Sequence, residues 1–86
     1  MSDFSLRILR RAQVHDRVGL KDSALQARIN RGTFPPPIPL GPKVVGWIES
    51  EVDAVVKALI RGRDEAALKL LVADLLAQRA KLTEAA

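Results

Sequence analysis

Gly32-Thr33-Phe34-Pro35-Pro36-Pro37-Ile38-Pro39-Leu40-Gly41-Pro42-Lys43-Val44-Val45-Gly46-Trp47 is the stretch on which the fold turns. Four of the seven residues from Thr33 to Pro39 are proline. A helix is excluded there, because proline lacks the N–H a helix needs and its ring clashes with the preceding turn. Ile38 and Leu40 alternate about Pro39, Gly41-Pro42-Lys43 has the composition of a turn, and Val44 to Trp47 reads as a returning strand. Pro39 confines the first strand to a sheet edge. The segment therefore predicts a small two-stranded hairpin, a wing, with Phe34 and Trp47 anchoring it to a core.

Upstream, the spacing predicts a helix from Arg11 to Val18, with Val14 and Val18 on one face. Gly19 can take the left-handed conformation that ends it, and Leu20 can plug the core behind it. A second helix is predicted from Asp22 to Arg31, capped by Asp22 or Ser23, with Leu25 and Ile29 buried and Gly32 closing it. Two short helices joined through Gly-Leu-Lys have the spacing of a helix-turn-helix. Downstream, a third helix is predicted from Glu49 to Ile60. It has Ser50, Glu51 and Asp53 at its positively polarised start and Val52, Val55, Val56, Leu59 and Ile60 as its apolar stripe, and Gly62 stops it.

A fourth helix is predicted from Asp64, its N-cap, to Leu82. Leu68, Leu71, Leu75 and Leu82 fall on one side, and Ala66, Ala73, Ala77 and Ala80 fall nearly opposite. The leucines either cap the chain's own core or serve self-association. Their repeat is shorter than the three or four heptads that argue a coiled coil. The expected class is thus mainly α: a small winged helix-turn-helix of three helices and a two-stranded wing over residues 1–62, with an extra C-terminal helix over 63–86 for packing or self-association.

Composition sets the function classes. The chain has 86 residues, 48% hydrophobic and 28% charged, with a formal net charge of +4; mean hydropathy is +0.04 and the sequence pI about 10.1. That length accommodates one small domain. No cysteine is present, which removes disulfides, thiolate chemistry, zinc ribbons and Fe–S clusters, and the single His15 rules out a histidine metal cage. The start, MSDFSLRILRR, lacks a signal-peptide core, and no apolar run approaches the roughly 18 residues of a membrane span, so a cytoplasmic, nucleoid-associated protein is expected. Aromatics are 3%: Phe4, Phe34 and Trp47, too few for a single-strand stacking platform. Residues 1–47 carry 8 Lys/Arg against 3 Asp/Glu, whereas residues 48–86 carry 6 against 7. A basic front half suggests a polyanion-binding face. No catalytic carboxylate pair, phosphate-cradling loop or nucleophilic triad is present, so no enzyme, cofactor, metal or small-molecule substrate is expected.

Taken in order, these pieces resemble the AlpA family of small phage and mobile-element DNA-binding proteins. They are also similar to the related excisionases, whose winged helix-turn-helix is close to that of MerR regulators. The resemblance covers residues 6–60. It rests on Leu9-Arg10, Val14, Gly19-Leu20, Leu25, Ile29, Gly32, Phe34-Pro35-Pro36-Pro37, Leu40-Gly41, Val45-Gly46-Trp47 and Ser50-Glu51-Val52-Asp53-Ala54. There are departures. Lys21 stands where the family has Ser at the start of the second helix, and Gln26-Ala27 where it commonly has Tyr-Arg, so the family's base code does not transfer.

The resemblance implies a double-stranded DNA binder of a prophage or integrative element: a transcriptional regulator, an excisionase (recombination directionality factor), or both. Such a protein would self-associate on DNA and work beside an integrase. Ser23, Gln26, Ala27 and Asn30 are the expected major-groove residues of the recognition helix. Arg7, Arg10, Arg11, Lys21, Arg28, Arg31 and the wing-tip Lys43 are the expected phosphate contacts, with Arg17 beside them. Arg61 and Arg63 complement the third helix's C-terminal dipole or reach phosphate. His15 is expected on the exposed side of the first helix. The rival reading is a protein-interaction module, antirepressor or antitoxin-like, gripping a partner through Leu68, Leu71, Leu75 and Leu82.

Overall fold

The computed structural model describes residues 7–84, with the side chains of 7–82. Phe4 and the rest of the first six residues lie outside that range. Chain order is β1 (Ile8–Leu9), α1 (Arg11–Val18), α2 (Asp22–Arg31), β2 (Ile38–Gly41), β3 (Val44–Ile48), α3 (Glu49–Ile60) and α4 (Glu65–Glu84). The chain is mainly helical with a small antiparallel sheet, the winged helix-turn-helix class. The sheet has three strands in the order β1-β3-β2, not the two of the expected wing. Ile8 pairs with Ile48 and Leu9 with Trp47. A two-residue strand carries no detectable alternation, which is why its sequence gives no sign of it.

Gly19 ends α1 at φ 70°, its N–H donating to the His15 carbonyl at 2.8 Å. The left-handed conformation costs glycine nothing, so the chain reverses into α2 within three residues. The cap of α2 differs from expectation. Lys21 occupies the cap position and no side chain caps the helix. Asp22 instead turns back onto α1, its Oδ1 lying 3.5 Å from Arg11 Nη1 and 2.8 Å from His15 Nε2. The helix starts one residue earlier than a cap at Asp22 would place it, so Asp22 is its first helical residue and Lys21 stands at the cap.

Leu9, Val14, Leu25, Phe34, Trp47, Val52, Val55 and Leu75 form the core, so every element but β2 contributes to it, and the loop before the wing adds Phe34. Trp47 is fully buried, and its indole N–H donates to the Pro35 carbonyl at 3.0 Å. Burying a ring this large while satisfying its one donor fastens the proline loop to the sheet. Ile60, assigned to the stripe of α3, is 79% exposed: it falls beyond the edge of the arc made by Val52, Val55 and Leu59.

Pro39 pairs with Val45 on the edge strand and Gly41 with Val44, leaving Leu40 as the extra residue of a bulge. In the middle of β3, a Cβ on Gly46 would come 2.5 Å from Ile8 Cγ2, 2.9 Å from Leu40 Cδ1 and 3.2 Å from the Leu9 carbonyl oxygen. The two side chains can yield, but the backbone of β1 cannot. Gly46→Ala should therefore cost about 1–3 kcal/mol by overpacking. Thermal unfolding checks this, and an unchanged Tm would mean β1 is free to move away.

The buried line of α4 is Leu68, Val72 and Leu75, continued by the largely buried Arg79. That line is rotated from the leucine stripe expected from spacing: Leu71 is half-buried and Leu82 is exposed. Asp64 Oδ1 accepts from the Ala67 N–H at 2.9 Å, the expected cap. Arg79 clamps the helix in place. Its Nε and Nη2 donate to both Glu51 carboxylate oxygens at 2.6–3.1 Å, and Nη2 also donates to the Pro36 carbonyl at 2.9 Å.

Candidate nucleic-acid interface

The basic residues of the front half divide into two groups. Arg17 bridges α1 to α3, donating to Glu49 Oε2 at 2.6 Å and to Asp53 Oδ1 at 2.8 Å. The hydrogen bond to Glu49, helped by the charge of Asp53, raises its pKa above the ordinary arginine value. Arg7 Nη1 lies 3.7 Å from the same Glu49 oxygen. Arg11 sits 5.4 Å from the Trp47 ring centroid and faces Asp22; a guanidinium over an indole is held by the ring's quadrupole. These three arginines are each engaged by groups of the same chain.

Arg10, Lys21, Arg28, Arg31 and Lys43 are different. Among the described residues, no carboxylate lies within ion-pair distance of any of them. All but the half-buried Arg28 are exposed. Within residues 1–47, internal pairing thus leaves the surplus positive charge on α2, the positions flanking α1 and the wing tip; Lys57, Arg61, Arg63 and Lys81 are also exposed and make no ion pair among the described residues. Asp22, which would repel phosphate, is answered by Arg11.

On α2, Leu25 is buried and Ile29 packs against the core. Ser23, Gln26 and Asn30 are exposed and Ala27 is half-buried. His15 is half-buried rather than exposed; its Nε2 is buried near Asp22 but out of line for a hydrogen bond. At the wing tip, Pro42 and Lys43 are the central residues of a tight turn, and Lys43 has φ 60°. The combination is that of a type II turn, whose third position favours glycine. Lysine there is held against its preference at a cost of about 1–2 kcal/mol. Lys43→Gly should relieve that strain. After allowing for glycine's greater freedom in the unfolded chain, it should raise stability by about 0.5–1 kcal/mol in a denaturation series.

The residues that sequence reasoning missed are Arg79 and Glu51 as a buried pair, and Val72. Arg79 stands i+4 from Leu75 and i+7 from Val72, so its place on the buried line becomes visible only once that line is read as 68-72-75-79. No helix among the described residues is long and apolar enough to cross a membrane. No cluster of His, Cys, Asp or Glu among them is arranged to hold a metal.

Fold and exposed cations together give a winged helix-turn-helix with a basic face on which Asp22 is balanced by Arg11. Residues 7–58 match the family described as Prophage CP4-57 regulatory protein (AlpA), and the chain belongs to that family of prophage regulators. It is also 42% identical over 57 residues to "Uncharacterized protein ORF88" of Enterobacteria phage P4, a match spanning 66% of this chain and 65% of that protein. The chain therefore aligns with just under two thirds of this relative's length. No solved structure matches the chain.

Proposed function

We propose that the chain binds duplex DNA of a prophage or integrative element, laying α2 in the major groove and the wing on the adjacent backbone. The observation that carries this reading is the set of cations Arg10, Lys21, Arg28, Arg31 and Lys43, which make no ion pair among the described residues, around a helix whose outer face is polar. Phosphate contacts from such residues fix orientation, while Ser23, Gln26, Ala27 and Asn30 meet base edges. The activity is that of an AlpA-like transcriptional regulator, an excisionase acting beside an integrase, or both. The two jobs need the same module placed in several copies on neighbouring sites, and the second also needs the assembled DNA to curve.

Copies would meet through α4. Leu68 and Leu75 face this chain's own core, so the contact surface is the opposite side, where Leu70 is 74% exposed beside Ala66, Ala73 and Ala77. Lys69 and Asp74 flank that stripe with opposite charges, which suits a parallel pairing of two identical helices. Leu70→Asp is expected to abolish cooperative binding to multi-site DNA with the fold intact, whereas Leu75→Asp unfolds the protein. Cooperativity that survives Leu70→Asp would remove this surface. The rival, a partner protein gripping the leucine stripe, has only the half-buried Leu71 and exposed Leu82 to hold.

The deciding experiment is binding of the purified protein to duplexes from its own locus and to random duplex across a salt series. Preference for particular locus segments, with affinity falling steeply as salt rises, is the expected result. Equal and weak binding to both would overturn the reading. An integrase-dependent excision assay and a promoter fusion then separate the two jobs.

A further inference from the structure

Gln26 and Asn30 stand four residues apart on α2, both exposed, and Gln26 Nε2 donates to Asn30 Oδ1 at 3.0 Å. A primary carboxamide has two N–H hydrogens and one carbonyl oxygen. With one hydrogen held by Asn30, Gln26 keeps a second N–H and Oε1, and these form one edge when Asn30 holds the hydrogen trans to Oε1. We propose that Gln26 reads an adenine through this donor–acceptor edge, and that Asn30 is the positioning residue that fixes its orientation. The inference rests on the DNA-binding reading above and names the base that this part of the helix selects.

The chemistry matches one base. In the major groove adenine offers the N7 acceptor and the N6 donor, which meet the glutamine N–H and Oε1 in a bidentate pair. Guanine offers two acceptors, N7 and O6, so Oε1 would face another oxygen; cytosine offers a donor, and thymine an acceptor beside a methyl group. The neighbours leave the amide clear: Ser23 and Ala24 before it and Ala27 after it are all short. A glutamine already restrained by its neighbour also loses less rotational freedom on docking than a free one. An alanine at 30 removes the acceptor, whereas an aspartate keeps an oxygen for Gln26 Nε2.

The test uses a pool of duplexes with a randomised 20-base-pair core, retained on the full chain and its variants, followed by affinity measurements on the selected duplex. The wild type should fix one A·T pair, with a preference of about tenfold to a hundredfold over the other pairs. Gln26→Ala should lose that preference at that pair alone. Asn30→Ala should weaken it several-fold, while Asn30→Asp retains it despite lower overall affinity near phosphate. Replacing the adenine by 7-deazaadenine, which lacks N7, should weaken the wild type but not Gln26→Ala. Retention of specific sites whose base preferences are indifferent to residue 26, or equal losses in Asn30→Ala and Asn30→Asp, would overturn the inference and leave DNA binding standing. Retention of no sequence above the random pool would remove DNA binding and this inference together.

Discussion

Arg79→Ala should destabilise the protein by about 3–5 kcal/mol, because it strands the Glu51 carboxylate in an interior that leaves it 5% exposed. For a chain of this size each kcal/mol corresponds to roughly 4–8 °C in Tm. The loss should therefore appear as a collapse of thermal stability or outright unfolding. Attraction between the two charges is not the main quantity at stake. A buried pair gains little net energy over apolar residues of the same shape, but removing one partner leaves an uncompensated charge. The double substitution Glu51→Leu with Arg79→Met should therefore restore much of the stability lost by Arg79→Ala, although the Pro36 carbonyl still loses its donor. Thermal melts of the single and double variants make the comparison. A mild Arg79→Ala phenotype would mean that α4 can leave the domain without penalty.

The second large effect concerns DNA. Arg28→Ala combined with Lys43→Ala should lower duplex affinity by on the order of a hundredfold near physiological salt. It should also flatten the plot of log affinity against log salt by about 1.8, since each phosphate contact contributes about 0.9. Neither side chain makes an ion pair to a described residue, so the melting temperature should not fall. Lys43→Ala also leaves the backbone strain of the wing turn in place, which separates the loss of charge from the relief expected of Lys43→Gly. Unchanged affinity in a folded double variant would remove both the recognition helix and the wing from the interface.

Much of the architecture was legible in the chain. Prolines from Pro35 to Pro39, the turn at Gly41–Lys43 and the glycines ending α1 and α2 are local signals, because each restricts or frees the backbone wherever it stands. Leu25, Ile29, Val52 and Val55 show their faces through helical spacing. The cap of α2 differs from the local signal because the helix begins at Asp22 itself, which puts Lys21 at the cap and leaves the Asp22 carboxylate to face Arg11. β1 escaped because two residues are too few to show a period. The site was legible in residue type but not in availability: composition counts Arg7, Arg11 and Arg17 as cations exactly as it counts Lys21 and Lys43.

Sequence by itself determined the class of fold, the order of its helices, the wing and the basic bias of the front half, since these follow from backbone chemistry and from the totals of charge and apolar residues. Tertiary structure alone decided which cations are left over. Glu49, Asp53 and Asp22 lie within reach of Arg17, Arg7 and Arg11 only after α1, α2 and α3 have packed. It likewise decided the rotation of α4, where the buried line runs through Val72 to Arg79 because Glu51 and the Pro36 carbonyl wait beneath it. Ion pairs between residues distant in sequence leave no periodic trace, because their energy depends on a separation that exists only in the folded chain.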